Sequence, residues 1–489
     1  MADPEYIDYI RTDNHFPYHP EPPASSAHND GMIHFCPPAP VRTGAPYLHS
    51  STRSGVPPMN WRFHSLRSLL ALSLTAGLLS IAACEQKSDA PATPSAPASG
   101  SDAGGENAST NTPATPSDTP ASTDSASESA GPASADTILI GEYGSMTGSE
   151  ATFGQSTHNG IQLAIDEINS AGGVKGKKLA LKTYDDQGKQ AEAKTAVTRL
   201  ITDDKVVAVL GEVASSLSIA GGEVAQKYGV PMVTPSSTNP RVTQVGDMIF
   251  RVCFIDPFQG FVMAKFAKDN LKFENVAILY DQGQAYSTGL KTDFTKHFTK
   301  MGGKIVTEQA YTGGDSDFGA QLTAIRSANP QAIFIPGYYT DVAAIALQAR
   351  KLGITAVLMG GDGWDSPQLS AIGGAAVEGS YFSNHYSHEE QRPEVQEFVT
   401  KFKARYNVVP DGLAAMGYDA ARLLADAMGR ASSLSGKDIA AALAATKDFA
   451  GVTGRISMDA QRNAQKPAVV LQVKDGKYSY VATIQPEKN

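Results

Sequence analysis

From Thr137 onward the hydrophobic period of the chain switches repeatedly between two and 3.6, and that alternation limits the fold more than any single motif. "TILIGEYG" is a short aliphatic run stopped by glycine. "HNGIQLAIDEINSAGG" then sets Ile161, Ala164, Ile165 and Ile168 on one helical face and ends on a Gly pair suited to a helix C-terminus. "KLALKTYDD" reads as a strand, "QAEAKTAVTRLITDD" as a helix, "VVAVLG" as a strand, "SLSIAGGEVAQKYG" as a helix and "VPMVTP" as a strand. Strand and helix in strict succession call for an α/β fold with a parallel sheet.

The pattern restarts after Arg251. A helix from about Pro257 to Asn270 leads to strand "NVAILYD", helix "STGLKTDFTKHFTKM", strand "KIVTEQAY", helix "FGAQLTAIRSA", strand "QAIFIPG", helix "TDVAAIALQARKLG" and strand "AVLMGG". The halves share order and punctuation: from the Gly pair before one strand to the Gly closing the next, the spacing is about 39 residues in the first half and about 35 in the second. Two Rossmann-like, parallel-sheet lobes are the expectation.

Beyond Ser383 come helices at "PEVQEFVTKFKARY", "GLAAMGYDAARLLADAMGRA" and "GKDIAAALAAT", then short strands at "GRISM", "AVVLQVK" and "YSYVATIQ". These must complete lobes already begun, so the chain crosses between lobes more than once. Crossings are expected near Arg251, Tyr386 and Ser457, with lobe 1 at 137–252 plus 388–456 and lobe 2 at 253–387 plus 457–489.

The residues before Thr137 read differently. "MNWRFHSLRSLLALSLTAGLLSIAAC", starting at Met59, has the order of an export signal: Arg62 and Arg67, then an apolar run too short to span a bilayer comfortably. Polar, Pro-rich sequence on both sides argues against a buried helix. Residues 1–58 carry dense Pro and His with no apolar period; the expectation is a leader ahead of a true start at Met59. The stretch Ile81-Ala82-Ala83-Cys84 resembles a bacterial lipobox, which implies a signal at 59–83, lipidation of Cys84 and attachment of the protein to a membrane. Each buried methylene of an acyl chain adds about 0.8 kcal/mol to that attachment. The competing reading is a signal peptidase I site after Ala83. From residue 84 to 136 the Ser/Ala/Pro/Thr composition offers nothing to bury and reads as a linker reaching on the order of 40 Å.

The net charge of -9 and the absence of a Lys/Arg cluster exclude nucleic acid as the expected partner. Cys36 falls in the leader and Cys84 at the lipid site, so Cys253 is expected to be a single buried thiol with no disulfide.

Ligands of parallel sheets bind beyond the carboxyl ends of the strands. There the first half carries "EVASSLS", with Ser215 and Ser216 opening a helix, and "SSTNP", with Ser236, Ser237 and Thr238. Hydroxyls beside free backbone N–H groups suit a carboxylate, and they also suit ordinary N-capping. The second half offers Tyr286, Tyr338 and Trp364 with one acid, Asp362, in "GGDGW". A turn role competes for Asp362 and loop packing for the tyrosines. Together the two walls suit a zwitterion.

Enzyme signatures fail. Gly141, Gly144 and Gly148 in "GEYGSMTG" do not make a dinucleotide fingerprint, no phosphate loop follows, and Met146 stands where a nucleophile elbow needs serine. His385 and His388 have H-x-x-H spacing without further ligands nearby, which reads as a solvated loop, so no metal or cofactor is expected.

The motifs "TGSEATFGQSTHNGIQLAIDEINSAGGVKGKKLALKTYDD", "VLGEVASS", "VPMVTPSSTNP" and "LMGGDGW" resemble those of the Leu/Ile/Val-binding proteins of branched-chain amino-acid ABC transporters, within the type I periplasmic binding fold. The resemblance spans nearly all of 137–489. It implies two lobes joined by three hinge crossings, closing on one amino acid outside the cytoplasm, in a monomer that delivers to a permease and its ATPase. It also implies site roles: Ser215 and Thr238 for the carboxylate, the Ser236 backbone and the Asp362 side chain for the ammonium, Phe153, Tyr286 and Tyr338 as aromatic walls, and Val213 and Ala214 as side-chain contacts. Ser237, Gly363 and Trp364 fall in the same loops and are taken into the site, Trp364 as a group that narrows it. Two departures stand out. Some relatives carry Glu where Asp362 stands, and a disulfide of some relatives is absent, its positions falling near Gln187 and at Ala214. A ligand-sensing receptor of the same fold, or a binder of a small amide or aromatic acid, is the alternative.

Overall fold

The computed structural model describes residues 136–486. The leader expected at 1–58, the signal at 59–83, the lipid site at Cys84 and nearly all of the linker expected at 84–136 lie outside the described residues. Among the described residues no helix is long and apolar enough to cross a membrane.

The first sheet holds β1 (Thr137–Gly144), β2 (Lys178–Asp185), β3 (Val209–Leu210), β4 (Met232–Thr234) and β5 (Ile249–Arg251), in the order β2-β1-β3-β4-β5 and all parallel. The second holds β6 (Asn275–Asp281), β7 (Lys304–Tyr311), β8 (Ala332–Phe334), β9 (Val357–Gly360) and β10 (Tyr381–Asn384), ordered β10-β9-β8-β6-β7 and again parallel. Numbered within its own lobe, each sheet runs second, first, third, fourth, fifth. The repetition suspected from the Gly spacing is therefore a repetition of topology.

A small antiparallel sheet of β11 (Phe449–Gly451), β12 (Gly454–Met458) and β13 (Ala464–Gln465) precedes β14 (Ala468–Lys474) and β15 (Lys477–Ile484), which extend the second sheet antiparallel to β10. The chain thus passes between lobes after β5, after β10 and between β13 and β14. The third passage comes later than the Ser457 expected, because Ile456 and Ala464 are buried in the same apolar core as the first-lobe residues Ile138, Ile161 and Val233. The register of that small sheet is too short to be read from a period of two.

Helices cover both sheets. In the first lobe α1 (Ala151–Ser170), α2 (Gln190–Thr202), α3 (Ser215–Tyr228) and the short α4 (Arg241–Gln244) follow β1 to β4 in turn. In the second, α5 (Asp256–Lys265) precedes β6, and α6 (Ala285–Lys300), α7 (Gly319–Ala328), α8 (Tyr339–Lys351) and α9 (Pro367–Gly373) follow its first four strands. Three more, α10 (Pro393–Tyr406), α11 (Gly412–Arg430) and α12 (Gly436–Ala444), return to the first lobe, where Phe398, Leu424 and Ile439 join its core. Helix α1 begins two turns before the "HNGIQ" start expected from periodicity. Phe153, Gly154 and Thr157 are buried there, and a Cβ on Gly154 would meet the Ser145 carbonyl oxygen at 2.4 Å, so tertiary packing overrides the weak helix preference of a Gly/Ser/Thr-rich stretch.

Candidate functional site

Where the carboxyl ends of the two sheets face each other, a narrow cavity is lined by Phe153, Val213, Ser215, Ser236, Thr238, Tyr286, Tyr338, Asp362, Gly363 and Leu413. Each lobe contributes from the same three strands of its sheet, the first, third and fourth. Phe153 follows β1, Val213 and Ser215 follow β3, and Ser236 and Thr238 follow β4; in the second lobe Tyr286 follows β6, Tyr338 follows β8 and Asp362 follows β9. A wider cleft adjoins it, between the loop before α11 and the β14–β15 turn, and is lined also by Thr152, Asp365 and Asn384 at the strand ends.

The first-lobe wall is a set of hydroxyls. Ser215 is the first residue of α3, and its Oγ accepts a hydrogen bond from the Asn239 N–H at 3.2 Å, which leaves its own proton to donate. The Ser236 hydroxyl is buried and has no hydrogen-bond partner among the described residues. Arg251, fully buried at the first inter-lobe passage, fixes this loop: its guanidinium donates to the Ser237 carbonyl and, at 2.8 Å, to the Asn239 carbonyl. Ser216 has a different task from its neighbour, accepting from the Ala285 N–H of the second lobe at 3.0 Å.

The second-lobe wall is aromatic with a single charge. Tyr286 and Tyr338 stack with ring centroids 5.4 Å apart, and Phe153 meets Tyr338 edge-on at 5.5 Å. Burial raises both tyrosine hydroxyls well above the usual range, so both are neutral phenols. Tyr286 OH accepts from the Gly363 N–H at 3.2 Å. The glycines of "GGDGW" are steric necessities: a Cβ on Gly363 would lie 2.8 Å from the Gly337 oxygen, and one on Gly361 would lie 2.4 Å from Tyr286 OH. Asp362 is 6% exposed; its Oδ1 accepts from Gln259 Nε2 at 2.7 Å, and its Oδ2 lies 2.9 Å from His385 Nε2.

Three residues expected in the site point elsewhere. Ser237 turns inward between Ser236 and Thr238, bonding Ser218, the Glu212 carbonyl and the Val213 carbonyl, as if the two-residue alternation of β4 continued past its end. Ala214 sits in the core, its N–H given to the Glu212 carboxylate. Trp364 is fully buried against Gly360, its indole N–H donating to the Ile335 carbonyl at 2.9 Å, so it does not narrow the cavity. Sequence reasoning missed Leu413, which arrives at the start of α11. It also misjudged His385, which is buried against Phe254 at a 3.8 Å centroid distance and is no solvated loop residue. The adjacency of His385 to the expected crossing at Tyr386 was the available signal. Among the described residues, no group of three or more His, Cys, Asp or Glu side chains could hold a metal ion.

The lobes are in contact around the cavity. Thr152 Oγ1 and Ser366 Oγ are 2.8 Å apart, Thr340 donates to the Ser149 carbonyl at 2.7 Å, and Asn239 donates to the Ala285 carbonyl at 2.7 Å. At the edge, Asp365 of the second lobe accepts from the Gly412 N–H at 2.7 Å, beside Asp411 of the first. Cys253 is a free, buried thiol whose Sγ donates to the Ser237 carbonyl at 3.3 Å, and burial pushes it up to about 12.

Residues 137–477 match the family described as periplasmic binding protein. A leucine-, isoleucine-, valine-, threonine- and alanine-binding protein of Pseudomonas aeruginosa is 33% identical over 328 residues, 67% of this chain and 87% of that protein. Among solved structures, a leucine-binding protein from Thermotoga maritima is 42% identical with a TM-score of 0.69, covering 72% of this chain and 99% of that one. A branched-chain amino-acid transporter substrate-binding protein from Streptococcus pneumoniae, in complex with isoleucine, is 34% identical with a TM-score of 0.68, covering 72% of this chain and all of its own.

Proposed function

This chain belongs to the periplasmic binding protein family, and from that premise we propose that it captures a free aliphatic L-amino acid outside the cytoplasm by closing its two lobes, and presents it to the permease and ATPase of an ABC importer. It acts as a carrier without catalysis, as a monomer, held to a membrane through a lipid on Cys84.

The observation that carries this reading is the opposition of the two walls. Ser215, with a proton to donate, stands at the N-terminus of α3, where the helix dipole adds about 0.3–1 kcal/mol for an anion, the hydroxyls after β4 stand beside it, and a carboxylate stands opposite. A zwitterion satisfies both at once: carboxylate to Ser215 and Thr238, ammonium to Asp362. Phe153, Val213, Tyr338 and Leu413 supply the apolar lining that an aliphatic side chain would meet. The named ligands of the Pseudomonas and Streptococcus relatives agree with this chemistry.

Because the ligand touches both lobes only when they are shut, it has differential affinity for the closed state and drives closure. The test is calorimetry with leucine against its deaminated analogue, 4-methylpentanoate, on protein first stripped of ligand, alongside small-angle scattering. Strong preference for leucine and compaction on saturation are expected. Equal affinity would overturn the ammonium assignment and favour an aromatic or aliphatic acid as ligand; an unchanged radius would count against closure.

A further inference from the structure

Asp362 is held on both oxygens, by one residue the sequence did not single out and one it read as part of a solvated loop. Gln259, on α5, donates to Oδ1 at 2.7 Å, and His385 Nε2 lies 2.9 Å from Oδ2. His385 comes directly after β10, on the second passage between the lobes, with its ring 1% exposed and packed on Phe254. Its other nitrogen, Nδ1, is buried, and no group among the described residues accepts a hydrogen bond from it. A cationic ring would therefore bury an unpaired N–H, whereas a neutral ring protonated on Nε2 donates to Asp362 and leaves only a bare nitrogen behind.

We propose that His385, as the neutral Nε2–H tautomer, is a positioning residue for amino-acid recognition: with Gln259 it fixes the Asp362 carboxylate while leaving its negative charge for the ammonium of the ligand. The inference rests on the reading that Asp362 takes the ammonium. A carboxylate has about four lone-pair sites, so two donors still leave room for the ligand. A histidine cation would instead cancel the charge that distinguishes an amino acid from its deaminated acid. The surroundings of the ring favour neutrality: burial lowers its proton affinity, the attraction of Asp362 opposes that, and Lys466, on the hinge side, lowers it further.

The test measures leucine and 4-methylpentanoate binding by calorimetry in the wild type, His385→Ala, His385→Gln, Asp362→Ala and the Asp362→Ala/His385→Ala double variant. Losing a hydrogen bond to a charged group should reduce the preference of His385→Ala for leucine by roughly tenfold or more. His385→Gln, whose amide can donate in place of Nε2, should recover most of it, and the histidine change should add nothing once Asp362 is gone. A preference unchanged in His385→Ala, or equal losses for both ligands, overturns the proposal while leaving Asp362 as the ammonium partner. No preference in the wild type overturns that assignment and this inference with it. Independently, nitrogen NMR of histidine-labelled protein at neutral pH, assigned by the signal lost in His385→Gln, should show Nε2 protonated and Nδ1 bare; an imidazolium spectrum overturns the proposal.

Discussion

The two lobes share one strand order and contribute to the cavity from the same three strands, yet they build opposite walls. On the first lobe the polar groups are short and uncharged, with capacity in reserve: the Ser236 hydroxyl lacks a partner among the described residues and Ser215 retains its proton. On the second lobe the groups are large or charged and, apart from the Tyr338 hydroxyl, already engaged: Tyr286 with the Gly363 N–H, Asp362 with Gln259 and His385. Topology therefore decides where a ligand sits, and the residues at three strand ends decide what it must be. On the proposed reading, a wall of unspent donors accepts any carboxylate, and the preorganised acid opposite supplies the discrimination.

That contrast can be broken at several points. The largest effect is expected from Asp362→Ala: removing one partner of a desolvated charge pair costs about 2–5 kcal/mol, roughly thirtyfold or more in leucine affinity. Binding of 4-methylpentanoate should hardly fall, and calorimetry on both ligands reads the difference. Ser215→Ala, on the other wall, should cost about 1.5–3 kcal/mol, and should do so equally for both ligands because both carry the carboxylate. If Ser215→Ala instead penalised leucine alone, the walls would have been assigned the wrong way round.

Where the lobes meet, burial and then the nearby Asp411 push Asp365 up to about 8. In the unfolded chain an aspartate titrates near about 3.9, so between these values the folded state holds the extra proton and stability falls as pH rises. Thermal or urea unfolding from about pH 6.5 to about pH 8 should show a decline approaching 1.4 kcal/mol per pH unit from this group. Asp365→Asn, which keeps an acceptor for the Gly412 N–H, should flatten it; an unaltered slope would place the titrating group elsewhere. The smallest effect belongs to Cys253, buried and without a disulfide partner among the described residues. Dithiothreitol should leave the melting temperature where it was.

Much of this molecule was legible as sequence. Alternating periods dictated two parallel sheets, and the rule that ligands gather at carboxyl strand ends led to Ser215, Ser236, Thr238, Tyr286, Tyr338 and Asp362, which the fold brings to one cavity. The sequence could not say which of several neighbouring residues faces that cavity. Ser237 and Trp364 sit beside lining residues yet turn into the core. Leu413 and His385 come from segments read as a helix start and as a solvated loop beside a crossing, and α11 and β10 carry them to the site once the lobes pack together. Periodicity is a local property, set by the backbone geometry of a few consecutive residues, so it determines elements and their buried faces. Which side chains share a cavity, and which of them hold one another in place, depends on elements distant in sequence packing together, and only the tertiary structure decides that.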